Sequence, residues 1–87
     1  MKILYEFVAR NIAGEDFLVP IGEAAKRYSG LFALNELGAF LWKHLPEAED
    51  ENELVELILN EYDVDRETAA ADTAEFLQEL RKMNILE

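Results

Sequence analysis

The sequence predicts an α+β domain in which a three-stranded antiparallel sheet precedes three helices, a βββααα order over residues 1–87. Three observations lead there. The first third of the chain carries runs rich in β-branched and aromatic residues that end at glycines or at Pro20. From residue 35 onward apolar residues recur in steps of three and four, the period of an amphipathic helix. Each of those periodic runs is preceded by Asn or Asp, whose side-chain oxygens accept hydrogen bonds from the free amides of a helix start.

The strands come first. The run ILYEFVARNIAG (3–14) ends at Gly14, and Gly14-Glu15-Asp16 is the expected hairpin turn, because glycine takes φ > 0 at little cost. FLVPI (17–21) is the second strand. Pro20 lacks a donor, so that end is expected at an edge or leaving the sheet. GEAAKRYSG (22–30), bracketed by glycines, is a loop with room for one helical turn, and LFAL (31–34) is the third strand.

Asn35 caps the first helix, with Glu36 at the positive end of its dipole. Leu37, Phe40, Leu41 and Leu45 form its apolar stripe, and Pro46 ends it. Asp50 and Glu53 have capping-box spacing before a helix whose inner face is Leu54, Leu57, Ile58 and Tyr62. Asp65 caps the third helix, with a core seam of Ala69, Thr73, Phe76, Leu80 and Met83. Asn84 tolerates the left-handed conformation and ends that helix before the apolar pair Ile85-Leu86.

Composition narrows function. Apolar residues make up 51% of the 87, enough for one small core, so a single folded domain is expected rather than a disordered chain. Cysteine is absent, which rules out disulfides and thiolate metal sites. Nineteen acidic residues against eight basic give a formal charge of −11, a surface that repels nucleic acid and anionic lipid. The first ten residues are too short an apolar run, broken by Glu6, for a signal peptide or membrane span. A soluble cytoplasmic domain is the expectation.

No constellation for chemistry emerges. His44 is the only histidine and stands at the end of a helix, where the dipole favours it; metal or acid–base work needs partners it lacks. Asp63-Val64-Asp65 resembles the start of a calcium loop, but Thr68 stands where that loop needs glycine, so it reads as a turn and a cap. The acidic run EAEDENE (47–53) reads as a solvated loop and first helical turn, or as a lure for a basic partner. Ser29, Thr68 and Thr73 have no general base beside them. An enzyme is not expected, and no cofactor is implied.

Two helices beside a small sheet also suit a DNA-binding winged helix. Over residues 66–83, however, Arg66, Arg81 and Lys82 are outnumbered by Glu67, Asp72, Glu75 and Glu79, a net charge of −1. Phosphate neutralisation supplies most non-specific DNA affinity, and this surface offers little of it.

The short apolar strand LFAL (31–34), free of proline and charge, is the other candidate. It packs as ordinary core, or its open edge takes a further strand from an extended peptide. The same open edge could pair with a second copy of the chain, giving a homodimer by strand exchange.

LNELGAFLWKHL, then ELVELILNEYDVDRETAAADTAEFLQEL, then NILE, resembles the PqqD-like family over residues 7–87. The shared pattern is Leu-Asn-Glu-x-Gly-Ala followed by Trp, then Tyr-Asp-Val-Asp, then a closing apolar pair. Leu37 departs from it where Thr is frequent, and Asn84 where Gly is usual. The resemblance implies a winged-helix-like fold that recognises the leader of a ribosomally made precursor peptide. It further implies that the leader lies as an added strand against the third strand and over the third helix, for presentation to a maturation enzyme, often a radical S-adenosylmethionine enzyme. On this chain the docking strand is then Gly30, Leu31, Phe32, Ala33 and Leu34. With Phe76 and Leu80 assigned to the core, the flanking Ala70, Thr73, Leu77 and Arg81 are the candidate helix wall.

Overall fold

In the computed structural model, which describes residues 1–87, β1 (Phe7–Ile12) and β2 (Glu15–Pro20) form an antiparallel hairpin paired from Phe7↔Pro20 to Ile12↔Glu15. The two residues between them, Ala13 and Gly14, have φ of 52° and 87°. Two positive φ values are what a two-residue type I′ turn requires, and its twist matches that of the strands. The turn therefore falls one residue earlier than expected, and Glu15 and Asp16 belong to β2.

A short helix, α1 (Glu23–Arg27), occupies the segment expected as a loop and buries Ala24. Then β3 (Phe32–Leu34) pairs antiparallel with β2, from Leu18↔Phe32 to Asp16↔Leu34. The sheet order is β1-β2-β3, so β2 is central and β1 and β3 are the edges. Pro20 is tolerated in the central strand for a local reason. The Ile21 amide donates to the Glu6 carbonyl at 3.0 Å, so alternation turns the Pro20 nitrogen to the other side, beyond the start of β3.

Three helices follow: α2 (Glu36–His44), α3 (Glu51–Glu61) and α4 (Arg66–Lys82). All three expected caps form. Asn35 Oδ1 accepts from the Gly38 amide at 2.7 Å, Asp50 Oδ1 from Glu53 at 3.0 Å, and Asp65 Oδ1 from Thr68 at 2.7 Å. Glu53 reaches back to accept from the Glu49 amide at 3.0 Å. At the far end of α4, Asn84 has φ 61°. The Ile85 amide donates to Leu80 and the Asn84 amide to Arg81, at 2.9 and 3.1 Å, a Schellman closure with Ile85 packed as its apolar partner. The tail then returns to the start of the chain: Ile3 bridges Leu86, and the Leu4 amide donates to Ile85 at 2.7 Å.

The core joins Leu18 of the sheet to Leu41 and Leu45 of α2, Leu54 and Ile58 of α3, and Leu77 and Leu80 of α4. Phe7 centres an aromatic cluster, with ring centroids 5.1 Å from Tyr28, 6.0 Å from Phe32 and 6.3 Å from Trp42. This cluster ties β3 to α1 and α2 through the inward face of Phe32. One helix face differs from expectation. Leu77, not Phe76, joins Ala69, Thr73 and Leu80 as the buried face of α4, while Phe76 and Met83 are only half-buried. At about 100° per residue the buried face is centred roughly 40° toward Leu77 from the seam read in the sequence.

Candidate functional site

The strand alternation that places Pro20 also determines which groups of β3 are free. Residues of β2 with even numbers turn their backbone toward β3, so Phe32 and Leu34 pair inward and Leu31 and Ala33 present their N–H and C=O groups outward. Ala33 is exposed, and Leu31 retains 48% of its surface. The side chains of Phe32 and Leu34 lie on the same face as buried Leu18 and point toward the helices.

Beside this edge runs a groove of about 680 Å³ between β3 and α4. Leu18, Phe32, Leu34 and Leu41 form its floor, and Phe76, Leu80 and Met83 of α4 form the opposite wall. One end is closed by the first turn of α2, Asn35 to Gly38. Gly38 is needed there. A Cβ at that position would lie 3.1 Å from Asn35 Oδ1, 3.4 Å from Leu34 Cδ2 and 3.4 Å from Phe76 Cε1. The Leu-Asn-Glu-Leu-Gly-Ala motif thus has a physical content: a strand end, a helix cap, and a close approach to α4.

Asp72, Glu75 and Glu79 also border the groove, along the solvent side of Phe76. Lys82 approaches Glu79 at 3.8 Å in an exposed pair, and neither Lys nor Arg is among the groove residues.

The residues expected from sequence divide into two sets. Leu31, Phe32, Ala33 and Leu34 line the groove; exposed Gly30, with φ 82°, leads into it without lining it. The helix set lies on the opposite flank. Thr73 and Leu77 are fully buried, and the Thr73 hydroxyl donates to the Ala69 carbonyl at 2.8 Å. Ala70 is half-buried, and Arg81 donates through Nε to the Glu87 carbonyl at 3.1 Å. Taking Ala69 as zero, Ala70 and Arg81 fall at roughly +100° and +120° around α4, whereas Phe76 and Met83 fall at roughly −20° and −40°. Arg66, near +60° on the same scale, pairs with Glu56 of α3 at 2.6 Å, which identifies the positive flank as the one facing α3. The wall facing β3 is therefore Phe76, Leu80 and Met83, with Asp72, Glu75 and Glu79 beyond. Periodicity alone reveals an apolar stripe but not which neighbour each flank meets; the exposed-side position of Phe76 next to a row of acids was the available signal.

Elsewhere the polar groups have structural roles. His44 lies against Phe40 at a centroid distance of 4.6 Å. No group of three or more His, Asp or Glu side chains is placed to hold a metal ion. Every buried side-chain nitrogen and oxygen has a hydrogen-bond partner. The cap bonds from Thr68 hold the Asp65 carboxyl below its ordinary value. Burial raises the Tyr28 and Tyr62 hydroxyls, aided at Tyr28 by neighbouring Tyr5 and at Tyr62 by the Glu36 and Glu61 carboxylates.

The family model for coenzyme PQQ synthesis protein D (PqqD) matches residues 18–86. The chain belongs to the PqqD family. The matched span begins at Leu18 and contains every residue that lines the groove. A solved chain described as "TbiB1 in Complex with the TbiA(beta) Leader Peptide" is 32% identical, with a TM-score of 0.74, covering 100% of this chain and 95% of its own. No curated protein sequence matches. No helix of this PqqD-family chain is long and apolar enough to cross a membrane.

Proposed function

We propose that this PqqD-family chain is a non-catalytic adaptor that captures the leader segment of a ribosomally synthesised precursor peptide and presents it to a maturation enzyme. One observation carries the reading: an unpaired strand edge and an apolar groove lie side by side between β3 and α4. An extended peptide added to β3 takes its main-chain bonds from Leu31 and Ala33. Its alternate side chains, those opposite Phe32 and Leu34, enter the groove. Main-chain bonds then supply affinity and the groove supplies selectivity. The solved relative, described with a leader peptide, supports the same use of the fold.

The adaptor needs no catalytic group. Holding the leader raises the local concentration of the attached core peptide at the enzyme, which accelerates modification through proximity. The enzyme, a radical S-adenosylmethionine protein in the reading from family resemblance, docks on a second surface; the acidic 47–53 segment, exposed apart from Ala48 and half-buried Glu51, is one candidate. The DNA-binding alternative is disfavoured by the acids along the exposed side of α4.

The test uses the amino-terminal half of a small precursor encoded beside this chain's gene, titrated into isotope-labelled protein. Amide shifts are expected on residues 30–34 and on Phe76, Leu80 and Met83. Ala33→Pro removes the outward donor while leaving the inward ladder intact, and edge strands accept proline there. It should abolish binding with the fold retained; unchanged affinity would sink strand addition.

A further inference from the structure

The groove is lined by four carboxylates, Glu36, Asp72, Glu75 and Glu79, and by no cationic side chain. This asymmetry is local as well as global. Of the three basic residues of α4, Arg66 pairs with Glu56 and Arg81 bonds the Glu87 carbonyl, both away from the groove, and Lys82 meets only Glu79, at 3.8 Å in an exposed pair. Asp72 and Glu75 have no ion-pair partner.

From this we infer that the peptide bound in the β3–α4 groove is cationic, with Lys or Arg at alternate, groove-facing positions between apolar ones. The inference rests on the groove being the peptide site proposed above. Asp72, Glu75 and Glu79 are spaced three and four residues apart, so they form one row on the flank of α4 that faces β3. At 1.5 Å per residue the row spans about 10.5 Å along the helix axis, the length of about three residues of extended chain. A guest side chain opposite Phe32 or Leu34 must cross the apolar surface of Phe76 and Met83 to reach that row. Lys and Arg suit this path, because their methylene stems lie on apolar surface while the charged head stays in water. An acidic guest residue at the same position would meet Asp72 and Glu75, which no cation compensates. Arg81, the one cation of the expected helix wall, lies on the far flank.

The experiment uses the full chain and three synthetic ten-residue peptides. In each, every second residue is alternately Leu and a test residue, Lys, Gln or Glu, with Ser and Thr between. Binding is followed by amide shifts on residues 31–34. The Lys peptide is expected to bind roughly tenfold more tightly than the Glu peptide at low salt, with the difference shrinking as salt is added. Asp72→Asn/Glu75→Gln/Glu79→Gln should remove most of the preference. Glu47→Gln/Glu49→Gln/Glu61→Gln, which takes the formal −11 to the same −8 on exposed sites away from the groove, should leave it. Equal binding of the Lys and Glu peptides at residues 31–34 would overturn the cationic preference and leave the peptide site standing. A preference that falls equally in both triple variants would assign it to the overall field and also overturn the inference. Absence of shifts on 31–34 with all three peptides at millimolar concentration would overturn the peptide site itself.

Discussion

A methyl group on Gly38 would crowd the Asn35 oxygen at 3.1 Å, the same oxygen that accepts the Gly38 amide at 2.7 Å. The cap cannot yield without losing its bond. Glycine in a helix costs about 1 kcal/mol relative to alanine. Against that gain, Gly38→Ala would forfeit a cap worth about 1 kcal/mol and add overpacking against Leu34 and Phe76 worth about 1–3 kcal/mol. A net loss of about 1–3 kcal/mol is expected, readable as a drop in thermal midpoint of about 4–8 °C per kcal/mol. At this scale much was legible from sequence. Asn35, Asp50 and Asp65 cap as expected because capping is a contact within four residues. Asn84 takes the left-handed turn because its short amide tolerates it. The I′ turn at Ala13-Gly14 falls one residue before the expected Gly14-Glu15-Asp16 because alanine at positive φ carries no signature of its own.

The helix α4 shows what periodicity does and does not contain. Its buried flank and its groove flank are both apolar, so Leu77 and Phe76 look interchangeable in the sequence. Structurally they are opposites: Leu77 is fully buried and Phe76 half-buried beside β3. Leu77→Ala should cost about 2–5 kcal/mol, close to the whole stability of a domain this size, and leave a largely unfolded chain by circular dichroism. Phe76→Ala should keep the fold, with a loss of about 1–2 kcal/mol for a partly exposed ring, yet weaken the leader peptide by tenfold or more. Folded protein with undiminished affinity would remove Phe76 from the site. The strand element was better foreseen, since β3 is short, apolar and at an edge, as LFAL suggested. That β2 is central is not legible in the sequence, because nothing local tells that the Pro20 nitrogen faces past the start of β3.

Across the molecule, one hydroxyl links distant parts of the chain. Tyr28 sits between α1 and β3, packs edge-on to Phe7 and Tyr5, and donates to the Met83 carbonyl at 2.6 Å where α4 ends. Burial, then Tyr5, raises its titration above the usual 10.0, with Arg27 opposing. The folded state thus holds this proton more tightly than the unfolded chain does. Its contribution is complete below about pH 10 and declines as pH rises from there through the raised folded value. Denaturant midpoints should therefore fall above pH 10, and Tyr28→Phe should flatten that decline while lowering stability at neutral pH. Tyr62, raised by burial and by Glu36 and Glu61, would retain the remaining slope. An identical alkaline slope in Tyr28→Phe would show that the Met83 bond is not coupled to titration.

By itself the sequence determined the local features of this PqqD-family chain: the strand-then-helix order, the caps, the left-handed stop at Asn84, the acidic surface and the family pattern around Asn35 and Gly38. These depend on neighbours within a few residues or on composition, and such interactions are written in the order of the chain. Tertiary structure alone decided that β2 is central, that the tail returns to Ile3, and that α4 turns Phe76 and its row of carboxylates toward the open edge of β3. Those outcomes depend on how a helix is rotated against a sheet, a choice among near-equivalent apolar faces that only simultaneous packing against α2, α3 and β3 resolves.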